Sequence, residues 1–386
     1  MKAKTALLSL LLVPPLFSAG ASAEENAIKF TGLSYPLEIN LPAAQKEGAV
    51  LFETPFSEIP AAGYDTILLQ GEMPEPGVNV ELQVRSKSFF SPSASYGSEA
   101  FRRFPGGRFW ARYRVPFTRQ PLKLSVIDRG AKSASTLTIY ETELLVRLES
   151  KEETAPAAST AAYVPDPELF VPLSAPFKVI RRADWQAAPP TEPYTPHTPK
   201  YFTLHHTQAH YPGTYNEAVA EMQFIQDFHQ HGRGWIDIAY HFLIDPAGNI
   251  FEGRPIKVLG AHVKNRNTAN IGISIMGDFH PPKHDVFTGA SQDSFVAIGR
   301  YLKDTYEVQV SSFYAHRDLG KTACPGDDLY AKKELLRGLI FTPQFQDVPV
   351  NHGDVPLPIP AQQESLRPLI QYLDQRCGGG GGGGGG

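Results

Sequence analysis

The sequence predicts an α/β domain, with a mixed β-sheet flanked by helices, preceded by a smaller all-β, sandwich-like domain. Three observations carry this prediction. Short apolar segments recur over residues 24–148, and two of them alternate apolar with polar residues, as half-buried strands do. Over residues 177–345, strand-like runs alternate with amphipathic helical segments. Between the two, residues 149–176 are charged and then rich in alanine, proline and serine, which is typical of a linker.

The first 23 residues have the pattern of a secretory signal peptide. Lys2 and Lys4 supply the positive start, and the apolar run that follows is too short to span a bilayer. The small residues Ala21-Ser22-Ala23 form a cleavage site of the A-x-A type. No later stretch of the sequence is long and apolar enough for a transmembrane helix. We therefore expect a secreted or periplasmic protein.

Charge and cysteine content narrow the class of protein further. The formal net charge is −4, and acidic and basic residues are mixed without a basic tract. This pattern argues against a nucleic-acid partner. The two cysteines are Cys324 and Cys377, and in an exported protein a disulfide between them is the first hypothesis. Residues 346–386 are proline-rich, then contain Cys377 and nine glycines, and predict no function.

The elements of the N-terminal domain follow from its apolar segments, which glycine, proline, serine and asparagine residues separate. A β-sandwich is the natural way to bury one face of each such strand. A dense aromatic stretch in this domain is interpreted as core and turn packing rather than a sugar-binding surface. The strand candidates are 66–69, 80–84, 109–115 and 122–126.

In the second domain the periodicity indicates three helices and several strands. Thr214 and Glu217 form a capping box that begins the first helix, and Gly232 ends it. The turn 245–248 joins two strands into a hairpin. The predicted strands are 201–204, 240–244, 249–252 and 271–276, and the later helices include residues 295–302 and 329–340.

Three positions in this domain carry side chains that bind zinc in proteins. His205 ends a strand, beside His206, while His316 and Cys324 lie far along the chain. Two imidazoles and a thiolate suit a four-coordinate zinc site that keeps one position for water, whose pKa falls to about 7. The spacing fits no short zinc motif. The residue types alone therefore also allow a pair of core histidines and a disulfide between Cys324 and Cys377.

Several short motifs occur in the same order as in a known family. Together they make residues 177 to about 342 resemble the type 2 N-acetylmuramoyl-L-alanine amidase domain, which peptidoglycan recognition proteins and certain bacteriophage amidases share. One motif would be weak support, but the whole set in order is strong. The motifs are IRRADW at 180–185, LHHT at 204–207, DIAYHF at 237–242, FEGR at 251–254, GAH at 260–262, AH at 315–316 and ACP at 323–325.

The resemblance implies a catalytic zinc site in this domain. Position by position, it makes His205, His316 and Cys324 the zinc ligands. It makes Tyr240 a catalytic hydrogen-bond donor to the oxyanion, where the residues alone favour a core tyrosine. Thr322, two positions before the cysteine, matches a catalytic position that holds lysine in some members and threonine in others.

Four further residues are assigned to substrate binding, of which His262 and Asn267 match positions that line the family's cleft. His206 is expected beside the metal site rather than on the metal. His262 and Asn267 are assigned to substrate contact, with a structural role as the alternative. Arg254 is assigned to a carboxylate of the stem peptide, which a guanidinium binds through two hydrogen bonds. A fold-supporting ion pair is the alternative for Arg254.

The resemblance implies zinc-dependent hydrolysis of the amide bond between N-acetylmuramic acid and L-alanine in bacterial peptidoglycan, with muropeptides as ligands. The main competing function is a non-catalytic peptidoglycan-binding receptor on the same fold. Such members typically lack the cysteine ligand, which is present here as Cys324. A zinc peptidase that cuts elsewhere in the stem peptide is a second competing function, and a disulfide-stabilised scaffold without metal is a third.

Overall fold

The structure is a computed structural model, and it describes residues 27–43, 46–87, 92–146 and 166–342. The predicted signal peptide, the C-terminal tail and Cys377 lie outside these residues, as does the predicted linker as far as residue 165. From residue 166 the chain joins the second domain, where Val171 packs into the core. No helix within the described ranges is long and apolar enough to cross a membrane.

The N-terminal domain is the predicted β-sandwich. Every strand pair in it is antiparallel, and its two sheets have the strand orders β1-β9-β3-β7-β6 and β2-β8-β4-β5. Alternate residues of β4 are buried, as expected for a strand with one face on a core. The strands are β1 Leu37–Leu41, β2 Val50–Glu53, β3 Tyr64–Glu72, β4 Val78–Val84, β5 Ala94–Tyr96, β6 Ala100–Arg103, β7 Arg108–Thr118, β8 Leu122–Asp128 and β9 Ser135–Leu145.

The second domain contains one six-stranded mixed sheet with the order β10-β13-β12-β14-β11-β15. Strand β11 runs parallel to β14 and β15, whereas β12 and β13 form the predicted antiparallel hairpin. The strands are β10 Val179–Ile180, β11 Tyr201–His206, β12 Phe242–Ile244, β13 Ile250–Glu252, β14 Asn270–Ile275 and β15 Phe313–Ala315. The helices are α1 Tyr215–Asp227, α2 Gly289–Tyr306, α3 His316–Leu319, α4 Asp327–Tyr330 and α5 Lys333–Phe341.

Local sequence signals place the start of α1 correctly. Thr214 Oγ1 accepts a hydrogen bond from the backbone N–H of Glu217, at 3.2 Å. Glu217 Oε2 reaches back to the N–H of Gly213 at 2.7 Å, one residue before the cap itself. The helix then continues as a π-helical turn over Phe228–Gly232. The Thr214 contact satisfies one of the backbone amides that an uncapped helix leaves without a partner.

The strand predicted over 240–244 begins later than expected. Only Phe242–Ile244 form β12, and Tyr240 precedes the strand. The carbonyl of Tyr240 accepts a hydrogen bond from the backbone N–H of Arg254, at 2.9 Å. Tyr240 is thus held in the loop that enters the sheet, where its side chain is only half-buried.

The β-sandwich packs directly against α1 of the second domain. Trp110, on β7, belongs to the same buried apolar cluster as Phe224 and Phe228. Beside it, Arg108 forms two hydrogen bonds to the buried carboxylate of Glu221, at 2.8 and 3.0 Å. The guanidinium of Arg108 also lies 3.7 Å from the centre of the Phe224 ring. The contact between the domains therefore buries apolar side chains and a paired charge, as the interior of a domain does.

Candidate metal centre and active site

Two neighbouring strands bring the predicted metal ligands together. Strands β11 and β15 pair in parallel with Leu204 opposite Ala315. His205 and His316 each follow one of these paired residues, and the centres of their rings are 4.6 Å apart. Cys324 comes from the loop after α3. The three ligand atoms lie within 4.8 Å of one another, and all three residues are buried.

The loop that carries Cys324 is held by hydrogen bonds on both sides of the cysteine. Thr322 Oγ1 accepts from the backbone N–H of Cys324 at 3.1 Å. The carbonyl of Cys324 accepts from the backbone N–H of Arg317, at 3.0 Å. These contacts tie the thiol to α3, the helix that begins with His316.

The spacing of the donor atoms fits a tetrahedral zinc ion. Cys324 Sγ lies 3.6 Å from His205 Nδ1. Zinc bonds of about 2.3 Å to sulfur and about 2.0–2.1 Å to nitrogen, at a tetrahedral angle, separate two such ligands by about 3.6 Å. The donor set of two imidazoles and one thiolate is also one that zinc prefers.

A hydrogen-bonded chain of side chains fixes the orientation of His205. The carbonyl of Asn270 lies 3.1 Å from His262 Nε2, so this nitrogen donates. His262 Nδ1 then accepts from His205 Nε2 at 3.0 Å. This leaves the lone pair of His205 Nδ1 directed at the metal position. A metal-bound histidine usually donates its other ring N–H to a carboxylate, a backbone carbonyl or water, and here the imidazole nitrogen of His262 takes that place.

Burial keeps these imidazoles neutral, as metal binding requires. Burial, followed by the charges of His316 and the other nearby imidazoles, holds the pKa of His205 well below its ordinary value. Burial lowers the pKa of His262 to about 3. A neutral imidazole has a lone pair to offer to a cation, whereas a protonated one has none.

His206 lies beside the metal centre and outside the ligand set. Its Nδ1 accepts from the backbone N–H of Phe279 at 3.4 Å and lies 3.8 Å from an oxygen of Asp278. Burial, followed by the charge of His280, lowers the pKa of His206 to about 3. Its role as a neighbour of the site stays a prediction.

A cavity of about 90 Å³ opens onto the predicted ligands His316 and Cys324. The half-buried Tyr240 and Thr322 line it, and the ring centre of Tyr240 is 5.3 Å from that of His205. Both residues assigned to catalysis thus line the same cavity as His316 and Cys324. His206 and His262 also line this cavity.

The structure places Arg254 differently from the substrate-binding assignment. Its side chain is 4% exposed, and it donates hydrogen bonds to the carbonyls of Ile238 at 2.6 Å, Leu259 at 2.7 Å and Asp237 at 3.3 Å. A guanidinium that donates to three backbone carbonyls holds the segments that carry those carbonyls in place. Arg254 is also absent from the residues that line the described cavity. The fold-supporting role therefore describes Arg254 better than contact with substrate.

The side chain of Asn267 likewise forms hydrogen bonds with backbone groups. Its Oδ1 accepts from the N–H groups of His262 and Val263, both at 2.8 Å. It therefore shapes the loop that presents His262, and it does not line the described cavity. His262 and Asn267 thus support the predicted metal ligand His205.

Sequence reasoning missed one group of cavity residues, His229, Arg233 and Trp235, which follow α1. The ring centres of His229 and Trp235 are 4.9 Å apart, and His229 Nδ1 accepts from the N–H of Ala239 at 3.1 Å. A run of histidine, arginine and tryptophan at the end of an apolar helix was the available signal. Nothing in the sequence shows which way this turn faces, so the run by itself does not predict a contact with the site.

A second missed group comes from the β-sandwich. Gln70 on β3 and Glu141 on β9 line the same cavity as His316 and Cys324. Two elements far apart in the chain meet here, so no local pattern predicts the contact. The candidate site is therefore built by both domains.

Comparison with known proteins gives a consistent result. A family profile described as N-acetylmuramoyl-L-alanine amidase matches residues 195–327. Peptidoglycan-recognition protein SC2 of Drosophila melanogaster is 36% identical over 133 residues, which cover 34% of this chain and 70% of that protein. Peptidoglycan recognition protein 1 of Mus musculus is 30% identical over 157 residues, covering 39% of this chain and 84% of that protein.

Solved structures that match include Drosophila PGRP-LB, with 28% identity, a TM-score of 0.36, and coverage of 40% of this chain and 91% of that one. The N-acetylmuramoyl-L-alanine amidase LysC from Clostridium intestinale matches with 28% identity, a TM-score of 0.34, and coverage of 41% of this chain and 97% of that one. The extent of the sequence match to the recognition proteins decides the family. The chain belongs to the family of type 2 N-acetylmuramoyl-L-alanine amidases and peptidoglycan recognition proteins.

Proposed function

We propose that the protein is a zinc-dependent amidase that cleaves the bond between the lactyl group of N-acetylmuramic acid and L-alanine in bacterial peptidoglycan. The observation that carries the proposal is the convergence of His205, His316 and Cys324, with a separation of 3.6 Å between sulfur and nitrogen that suits zinc. Together with the family, this donor set supports catalysis over binding alone. The predicted signal peptide would place the activity in the periplasm or outside the cell.

The residues of the site have separate roles in the proposed reaction. His205, His316 and Cys324 would hold the ion, and its three protein ligands leave a position for a water or the substrate. Bound zinc supplies Lewis-acid chemistry and lowers the pKa of water to about 7. Tyr240 lines the cavity close to His205 and donates a hydrogen bond to the oxyanion that forms at the amide carbonyl. Thr322 holds the amide of Cys324 and keeps the thiolate in place.

The test is digestion of purified peptidoglycan by the full-length protein, followed by mass spectrometry of the fragments. We expect release of stem peptides that begin with a free L-alanine amine, loss of this release with a chelator, and recovery with added zinc. Cys324→Ser and His316→Ala should lose at least 100-fold in activity, since each removes a ligand of the proposed ion. Lys321→Ala, at an exposed position outside the cavity, serves as the control.

The competing functions give different results in the same experiment. A receptor would bind muropeptides and leave every lactyl–alanine bond intact. A peptidase would produce new ends within the stem peptide. Full activity of Cys324→Ser and His316→Ala would refute the assigned metal ligands.

A further inference from the structure

The cavity at the proposed active site has a wall that lies outside the family domain. The family match covers residues 195–327. Gln70 and Glu141, which line the cavity beside His229 and Cys324, belong to β3 and β9 of the β-sandwich. The N-terminal domain therefore reaches the space in which the reaction takes place.

The side chains of this wall form a connected polar group. Gln70 Nε2 donates to Glu141 Oε2 at 3.0 Å, and Arg233 Nη2 lies 3.4 Å from the same oxygen. Arg233 also lies 2.5 Å from Glu143, two residues further along β9. Glu141 is thereby held at the cavity by partners from both domains. Its side chain keeps 13% of its surface exposed, whereas Glu143 keeps 1%.

The interface behind this wall is buried and hydrogen-bonded. Trp110 Nε1 donates to Asp227 at 2.8 Å, and Arg108 forms its buried bidentate pair with Glu221 nearby. Trp110 itself is 1% exposed. A wall anchored by a buried aromatic residue and a buried ion pair keeps its position when a ligand arrives.

We propose that Glu141 and Gln70 form a substrate subsite, in which the Glu141 carboxylate accepts a hydrogen bond from a donor group of the muropeptide away from the scissile amide. The inference rests on the proposed function for the identity of the ligand. A carboxylate accepts hydrogen bonds and attracts positive charge, so the group it binds is a hydroxyl or amide of the glycan or an amine of the stem peptide. The β-sandwich then acts as a determinant of specificity.

The test compares zinc-loaded full-length wild type with Glu141→Gln on a series of muropeptides. The complete disaccharide-tetrapeptide is set beside one that lacks the outer sugar and one shortened to the first two residues of the stem. For the complete substrate we expect a rise in KM of about tenfold with kcat unchanged. Because the contact is made equally in the ground and transition states, its loss raises KM and leaves kcat unchanged. A hydrogen bond to a charged group typically changes the affinity by a factor of this size. The effect should disappear on the substrate that lacks the contacted group, which identifies the glycan or the stem as its source.

Two matched variants separate direct contact from a structural effect. Glu143→Gln removes the other carboxylate that holds Arg233, so any loss that it causes should be the same on every substrate. Glu81→Gln, on an ion pair with Arg129 within the β-sandwich, should change nothing. A loss in Glu141→Gln that is equal on all three substrates, or no loss at all, would overturn the subsite.

Binding measurements keep this inference separate from the proposed function. If wild type releases no L-alanine ends, calorimetric titration with the same intact muropeptides still reports the Kd. A Kd about tenfold weaker for Glu141→Gln on the complete ligand would then support the subsite while the amidase proposal fails. Equal Kd values for the two proteins would reject the subsite by itself.

Discussion

Replacing His262 by alanine tests whether this imidazole controls the affinity of the proposed metal site. Its Nδ1 lies 3.0 Å from His205 Nε2, and its Nε2 is tied to the carbonyl of Asn270. Loss of such a partner typically lowers metal affinity by about 10–100-fold. This corresponds to about 1.4–2.8 kcal/mol of binding free energy. We expect zinc to bind His262→Ala about 10–100 times more weakly, measured by competition with a chromophoric chelator at neutral pH.

Gly272→Ala should act in the same direction by a different route. A Cβ at Gly272 would fall 2.6 Å from Cγ and Cδ2 of the His262 ring, closer than side-chain atoms approach. The ring must therefore move, and its hydrogen bond to His205 weakens. His284→Ala, at an exposed histidine that pairs with Asp328, provides the control and should bind zinc like wild type.

The measurement is made alongside thermal unfolding of the metal-free proteins, so that a loss of fold is recognised. If metal-free His262→Ala stays folded and binds zinc within twofold of wild type, His262 does not orient a metal ligand. The same result for Gly272→Ala would show that the ring has room to move without cost.

Two further predictions concern the contact between the domains. Arg108→Ala leaves the carboxylate of Glu221 buried without its bidentate partner, so the free energy of unfolding should fall by about 3–5 kcal/mol in urea denaturation. Arg129→Ala, in an exposed ion pair, should cost less than about 1 kcal/mol, and equal losses would contradict the argument. His210 and Glu72 form a 2.7 Å pair. Burial is the largest single influence and opposes both charges, but the mutual hydrogen bond together with the nearby charges outweighs it. The pKa of His210 is therefore raised and that of Glu72 is lowered. The pair therefore stabilises the fold fully between about pH 4.5 and 6.5, and this contribution is lost as pH rises through the raised pKa of His210 or falls through the lowered pKa of Glu72. In wild type, the free energy of unfolding should fall between pH 6 and pH 8.5 as His210 loses its proton. His210→Gln removes this contribution, so the fall should be smaller by about 0.5–1 kcal/mol, and an unchanged fall would refute the assignment.

Local features of the fold were predictable because they depend on neighbouring residues. The capping side chain of Thr214 begins α1 at the expected place, and the turn 245–248 joins β12 to β13. The alternation of apolar and polar residues in β4 matches its alternating burial. Each of these signals acts over a few residues, and hydrogen bonding or amphipathic burial alone accounts for it.

The assignment of the proposed metal ligands depends on the family resemblance. The residue types of His205, His316 and Cys324 are suitable for zinc, but their separation along the chain matches no short motif. Parallel pairing of β11 with β15 brings the two histidines together, and such pairing is set by the whole sheet.

What the sequence determined by itself is which side chains are available and where the local elements begin. The tertiary structure alone decided that Arg254 supports backbone carbonyls, that His262 orients His205, and that Glu141 of the β-sandwich reaches the cavity. These roles depend on which atoms become buried together and on which nitrogen of an imidazole finds an acceptor. Both are properties of contacts between distant parts of the chain, so no pattern of neighbouring residues encodes them.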